Sequence, residues 1–349
     1  MEVKRINLAL QGGGAHGAFT WGVLDRLLQD PQIEIAGISG TSAGALNGAA
    51  LKAGLLEGGA DGGRAAARAN LDWLWRQVGA IGDVHLGAWL SAMIPGMGGI
   101  TATIESFMPV TPGELAERFL SPYALGAAYR NPLERIVRRF RFDRVCAQEG
   151  PQLFVSATNV RSGKVRVFAG AEISTEAILA SACLPTIFQA VEITDPATGR
   201  EEAFWDGGYT GNPALFPLFA PELPDDIVIV NINPLWREEL PTTPQDIQNR
   251  INEISFNAAL LRELRSIAFV KELIAEGTVA KGAMKDILVH MIADDALMNE
   301  LSVRTKTSAT PLLLHQLREA GRKAADGFLA RHRAALGVEP TVDLKATCD

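Results

Sequence analysis

Two glycine clusters carry the first signs of chemistry. Gly12-Gly13-Gly14-Ala15-His16-Gly17 lies between an apolar run and a helical pattern, and Gly40-Thr41-Ser42-Ala43-Gly44 lies in the same setting one unit later. Bare backbone N–H groups at the start of a helix form a ready anion site. They serve a phosphate, or the oxyanion of an acyl-transfer transition state, equally well. The second cluster is G-x-S-x-G, which holds a serine Oγ out on a sharp strand-to-helix turn. Glycines two before and two after that serine remove side chains that would clash there. Together the clusters suggest a serine attacking a carbonyl whose oxygen rests on nearby N–H groups. The first cluster also fits the G-x-G-x-x-G dinucleotide fingerprint, which needs an acid at the end of the second strand. That strand ends Ile38-Ser39-Gly40, and Glu34 stands at its beginning. A nucleotide-binding oxidoreductase using the 12–17 loop is therefore the alternative from another class.

A serine nucleophile needs a base. The histidines are His16, His85, His290, His315 and His332. Ser42, Asp206 and one of the last three would follow the order Ser, Asp, His. His290 lies in an apolar run, however, and His315 and His332 lie in helical patterns. Phe204-Trp205-Asp206-Gly207-Gly208-Tyr209 instead sets a carboxylate at a Gly-Gly turn after two aromatics. Such an aspartate is either a turn former or a base. Taken alone, the residues leave both readings open.

These residues must be positioned by a scaffold. Val3–Leu10 and Ile33–Ser39 read as strands, and Ala15–Gln29 and Ala43–Ala53 as helices. That alternation predicts an α/β fold with a parallel sheet and crossover helices. Leu153–Thr158, Val165–Phe168 and Ile227–Ile232 add strands, and Ser174–Ser181 a helix. Gly54–Arg64 reads as a glycine-rich loop before a helix at Ala65–Val78. After Pro244, Ile247, Ile251, Ile254, Ala258, Leu261, Leu264 and Ala268 recur at helical spacing. Leu312–Leu336 is helical too, with Ile287–Ile292 as one last strand between them.

The chain of 349 residues carries a net charge of −7, with 47% hydrophobic and 21% charged residues. This is globular composition, and the acidic balance argues against nucleic acid as a partner. Cys146, Cys183 and Cys348 are too widely spaced for a disulfide framework or a zinc set. No H-E-x-x-H, cysteine-rich or EF-hand pattern is present, so neither a metal nor an organic cofactor is expected. With no targeting segment visible, a cytoplasmic protein is expected.

Gly12-Gly13-Gly14-Ala15-His16-Gly17, Gly40-Thr41-Ser42-Ala43-Gly44, Ala180-Ser181-Ala182-Cys183-Leu184-Pro185 and Asp206-Gly207-Gly208 occur in the order and rough spacing of the patatin-like phospholipases. The resemblance covers about residues 4–232. It implies a three-layer α/β fold with a mainly parallel central sheet flanked by helices. It implies a serine acyl hydrolase with Ser42 as nucleophile and Asp206 as base of a Ser–Asp dyad. The first glycine loop would supply the oxyanion hole through Gly13 and Gly14. Gly12, His16, Gly17, Gly40, Gly44, Gly207 and Gly208 would complete the motifs. One departure stands out: the family usually has Arg or Lys where His16 stands, so charge assistance from this position does not carry over.

The expected organisation is a catalytic domain over 1–234 and a mainly helical C-terminal extension over 235–349 packed on it. Within the first part, 84–122 reads as an insertion. Its apolar, glycine-hinged stretch 84–110 reads either as a lid or as ordinary core. The expected substrate is a lipid ester, met in peripheral contact with a membrane or lipid surface. Esters of a hydrophobic polyester, or short acyl esters, are the alternative within the class.

Overall fold

The computed structural model describes residues 3–83, 121–238, 240–280, 282–301, 304–307 and 309–348. The expected insertion therefore lies almost wholly outside the described residues, and the lid reading of 84–110 wholly so.

The centre is an eight-stranded mixed sheet. In chain order the strands are β1 (Lys4–Leu10), β2 (Ile33–Thr41), β3 (Gln152–Asn159), β4 (Val165–Ala169), β5 (Val191–Thr194), β6 (Glu201–Asp206), β7 (Asp226–Val230) and β8 (Leu288–Ile292). They run β5-β6-β3-β2-β1-β7-β8 across the sheet, with β4 also on β3. The pairs β1–β2, β1–β7, β2–β3 and β7–β8 are parallel. The pairs β3–β4, β3–β6 and β5–β6 are antiparallel. The expected α/β fold with a mainly parallel sheet is thus present.

The central strands are apolar on both faces because helices cover both. Every residue of β7 is buried. Val228 and Val230 enter one core together with Leu8 and Leu10, while Ile227 and Ile229 enter the other together with Ala9. The first core is packed by α1 (Gly17–Leu27), α2 (Ala43–Glu57), α3 (Gly59–Asp83), α4 (Thr175–Ser181) and α6 (Pro311–His332). The second is packed by Leu260, Leu264 and Ile267 of α5 (Pro244–Ala275) and by Leu215, Leu218 and Leu223. Two helical layers around one sheet make the three-layer arrangement.

Three differences from the sequence reading have physical causes. Gly54–Arg64 is not a loop: α2 runs on to Glu57 and α3 begins at Gly59. Gly54 serves close helix packing, since a side chain there would collide with the backbone of Ala67. The short strands β5 and β6 have no clear sequence signal. They are joined through residues 195–200, and exposed Glu192, Thr194 and Glu201 interrupt their apolar pattern. Thirdly, Ile247, Ile251 and Ile254 of α5 are exposed. The helix instead turns Glu253, Phe256, Asn257 and Leu260 inward.

The C-terminal third docks through charge as well as packing. Buried Asp25 on α1 accepts from Arg68 on α3 at 2.6 Å, and it also pairs with Arg318 and Arg322 of α6. β8 adds to the sheet edge. Among the described residues no helix is long and apolar enough to cross a membrane.

Candidate active site

β3 acts as a ruler for the site. Its Ser156 pairs with Thr41 at the end of β2, and its next residue, Ala157, pairs with Asp206 at the end of β6. Both β2 and β6 lie on the same edge of β3, because β4 occupies the other edge along this stretch. Ser42 and Asp206, far apart in sequence, are thereby brought to neighbouring registers.

Ser42 has φ 55° and ψ −122°, the sole positive φ outside glycine among the described residues. Such a conformation costs about 1–3 kcal/mol and persists only where its surroundings enforce it. Here the enforcement is visible. The Ser42 N–H donates to Ser181 Oγ at 2.9 Å. The Thr41 hydroxyl donates to the Gly211 carbonyl at 2.6 Å. The helix α2 starts immediately afterwards, with Ser42 as its N-cap residue.

Asp206 is fully buried. Its N–H donates to the Cys183 carbonyl at 2.8 Å, and its Oδ1 accepts the Gly208 N–H at 2.8 Å. Burial raises its pKa from 3.8 to about 7, against the opposing pull of the Gly208 N–H and the Ser42 hydroxyl. Oδ2 has no hydrogen-bond partner among the described residues. Ser42 thus lies near enough to favour the carboxylate, but the contact is not closed to hydrogen-bond geometry, as is common in free enzymes. Trp205, in the next register, points to the other face of its strand, and Phe204 stacks edge-on against Phe168 at 5.5 Å.

The block Ala180–Pro185 has a structural part that its sequence alone did not disclose. Ser181 holds the serine turn and Cys183 holds Asp206, so one short segment ties both together.

The first glycine loop completes the arrangement. Gly12 lies so close to Ser42 that a Cβ on it would stand 2.6 Å from the Ser42 Cβ. Two buried asparagines clamp Gly12. Asn212 Oδ1 accepts its N–H at 2.7 Å, and Asn233 Nδ2 donates to its carbonyl at 2.8 Å. Gln11 Oε1 accepts from the N–H groups of Ile232 and Asn233 and from Asn233 Nδ2. The N–H groups of Gly13 and Gly14 have no partner among the described residues. Sequence reasoning missed Gln11, Asn212 and Asn233; of these only Gln11 follows directly on an apolar strand, β1, a signal that is legible.

His16 is fully buried, with Nε2 2.7 Å from Thr305 Oγ1. Burial, with Lys306 nearby, pushes its pKa down to about 3, so the ring is neutral near pH 7. Of the histidines offered for a triad, His290 is committed elsewhere: Nε2 lies 2.9 Å from Asp226 Oδ1 and Nδ1 3.1 Å from Thr341 Oγ1. Asp226 begins β7, at the end of the sheet opposite Ser42. His315 is exposed on α6, and His332 packs on Phe328. Glu34, the acid of the nucleotide alternative, is also at that opposite end, bonded to Arg5 at 2.9 Å.

A strained serine turn, a buried carboxylate and glycine-loop N–H groups without a partner among the described residues lie together at one end of an α/β sheet. The chain belongs to the patatin-like phospholipase family, whose model matches residues 8–219. That membership supports lipid acyl hydrolysis as the class of activity. No curated protein matches the sequence. Among solved structures the chain is similar to VipD from Legionella pneumophila, at 15% identity and TM-score 0.39, covering 94% of this chain and 67% of VipD. It is also similar to the heterodimeric ExoU–SpcU complex of the type III secretion system of Pseudomonas aeruginosa. There the identity is 15% and the TM-score 0.34, covering 94% of this chain and 52% of the other, about half its length.

Proposed function

We propose that the protein is a serine hydrolase of lipid carboxylic esters working through a Ser42–Asp206 dyad. The observation that supports this reading is the β3 register, in which Thr41 and Asp206 pair with successive residues, together with an Asp206 Oδ2 that has no hydrogen-bond partner among the described residues. Ser42 Oγ attacks the ester carbonyl while Asp206 takes its proton. The oxyanion rests on the N–H groups of Gly13 and Gly14. Asp206 then returns the proton to the leaving alcohol. Water, activated by the same carboxylate, hydrolyses the acyl-enzyme. A carboxylate is a weak base in water, and burial strengthens it. Ile247, Ile251 and Ile254, exposed on the helix whose other face carries Phe256 against Gly208, support contact with a lipid surface.

The test is a hydrolysis screen across phospholipid vesicles, triglycerides, hydroxyalkanoate oligomers and p-nitrophenyl esters of graded length, with Ser42→Ala as control. The reading expects Ser42-dependent release of fatty acid from vesicles. Activity confined to the polyester or short esters would favour the alternative within the class. Absence of any Ser42-dependent hydrolysis would defeat the proposal.

The raised pKa gives a paired pH prediction. Only the carboxylate can act as base, so kcat/KM should rise with pH through about 7 and level off above it. For the fold the sign is opposite. The folded state holds a proton that the unfolded state releases above 3.8, so this stabilisation is present below pH 3.8 and lost as pH rises through about 7. At about 1.4 kcal/mol per pH unit the loss reaches at most about 4 kcal/mol. Asp206→Asn should therefore raise the thermal midpoint at pH 8 and change it little at pH 4. A midpoint difference independent of pH would contradict the buried, proton-holding carboxylate.

A further inference from the structure

The helical turn Arg304–Thr307 lies well beyond residue 219, where the family match ends, yet it sits directly on the first glycine loop. Thr305 reaches His16, and a Cβ on Gly14 would collide with the Lys306 carbonyl. Gly14 has φ 59° and so accommodates that approach. The Lys306 ammonium turns inward, donating to Asn233 Oδ1 at 3.0 Å and to Glu253 Oε1 at 3.0 Å. Glu253 is itself buried and held by Arg237 at 2.7 Å and Arg250 at 3.3 Å.

We propose that Lys306 is a positioning residue of the oxyanion hole, acting through Asn233 on the Gly12–Gly13 peptide. A trans peptide is planar, so the Gly12 carbonyl and the Gly13 N–H lie in one plane and point in opposite directions. Asn233 Nδ2 grips that carbonyl at 2.8 Å. Asn212 Nδ2 reaches the same carbonyl only at 3.5 Å, so whatever fixes the Asn233 amide is the stronger hold on the direction of the Gly13 N–H. Lys306 holds the other end of the same amide, and Glu253 on α5 holds Lys306. The chain of hydrogen bonds runs from the helical third of the molecule to the proposed oxyanion donor and includes neither Ser42 nor Asp206. A carbonyl grip on one side and a free N–H on the other is the pre-orientation that electrostatic stabilisation of a transition state requires. The Gln11 contact to Asn233 Nδ2 at 3.2 Å supports the same amide only from its donor side. Without Lys306, Oδ1 is left without its cationic partner.

This inference rests on Gly13 being an oxyanion donor, and its test separates the two claims. Lys306→Met leaves Glu253 paired with Arg237 and Arg250, so the variant is expected to fold. Its kcat should fall about ten- to a hundredfold, part of the loss of a whole donor, with KM within about twofold. Amide hydrogen exchange in the Gln11–Gly17 peptide should quicken about tenfold while the peptides of β2 and β3 keep their protection. Lys306→Arg, which retains the charge and the donors, should restore most of both readouts. If Lys306→Met does not fold, Lys306→Gln carries the same expectation. Unchanged exchange at Gln11–Gly17, unchanged kcat, or a loss of protection spread equally over the sheet would each overturn the role. If the wild-type protein hydrolyses none of the esters, the dyad reading fails, and the exchange measurement alone decides whether Lys306 orders the loop.

Discussion

Replacing Ser42 by Ala, or Asp206 by Asn, is expected to lower kcat by about 10³-fold or more, with the double variant little worse than either single one. Residues that act as a unit in one proton transfer show this non-additivity. Both changes are mild for the fold. Ser42 is a strained position where alanine is no larger. The side-chain amide in Asp206→Asn keeps an oxygen for the Gly208 N–H that Oδ1 accepts at 2.8 Å. Asparagine cannot accept the Ser42 proton, so the loss reports the base and not the shape. The measurement is kcat and KM for all three variants at pH 8, where the wild-type carboxylate is ionised, with circular dichroism to establish folding. Folded Asp206→Asn that still turned over esters at a tenth of the wild-type rate would remove Asp206 from the mechanism. The three histidines weighed for a triad are poor substitutes. His290 spends both ring nitrogens on Asp226 and Thr341, His315 is exposed, and His332 packs on Phe328.

Much of this site is legible in the sequence because its parts are local. A G-x-S-x-G turn between a strand and a helix carries its own geometry, and so does a glycine run after an apolar strand. The central strands also declare themselves, since burial on both faces demands continuous apolar runs such as Ile227–Val230. What stays hidden is long-range. Asp206 meets Ser42 through the register of β3, and register is set by pairing that no local pattern reports. β5 and β6 read poorly because an antiparallel edge with one solvated face mixes Glu and Thr into short runs. The glycines of 54–64 mislead because the same residue serves a turn and a close helix contact. The apolar stripe of α5 names the helix correctly but not its inward face. Glu253 and Asn257 point inward because the site's polar network needs them, and periodicity counts only apolar residues. Lys306 and Asn233 are invisible for the same reason: each is an ordinary polar residue until the fold joins them.

The glycine loop offers the second large effect, and the structure decides which position can test it. Gly14 is the wrong choice. At φ 59°, and against the Lys306 carbonyl, any side chain there strains the backbone and displaces the C-terminal turn, so a loss of activity would have several causes. Gly13 is better. Its φ of 169° lies outside the left-handed region that glycine favours. A Cβ would meet the Ile232 Cδ1 at 2.9 Å, the end of a side chain that can give way by a few tenths of an ångström. Gly13→Ala should therefore fold, with a small fall in thermal midpoint. The peptide must shift slightly to seat the methyl, and the N–H is then aimed away from the oxyanion. Loss of one such donor lowers kcat by about 10²–10³, so a mis-aimed donor should lower it by up to about 10². KM should change little, because the ground-state carbonyl makes less of the bond than the oxyanion does. Inactivation by an organophosphonate, whose adduct places an oxygen at the same position, should slow in parallel with kcat. Ile232→Val combined with Gly13→Ala makes room for the methyl and should recover part of the rate. A Gly13→Ala enzyme with wild-type kcat and a wild-type inactivation rate would mean that the oxyanion is held elsewhere.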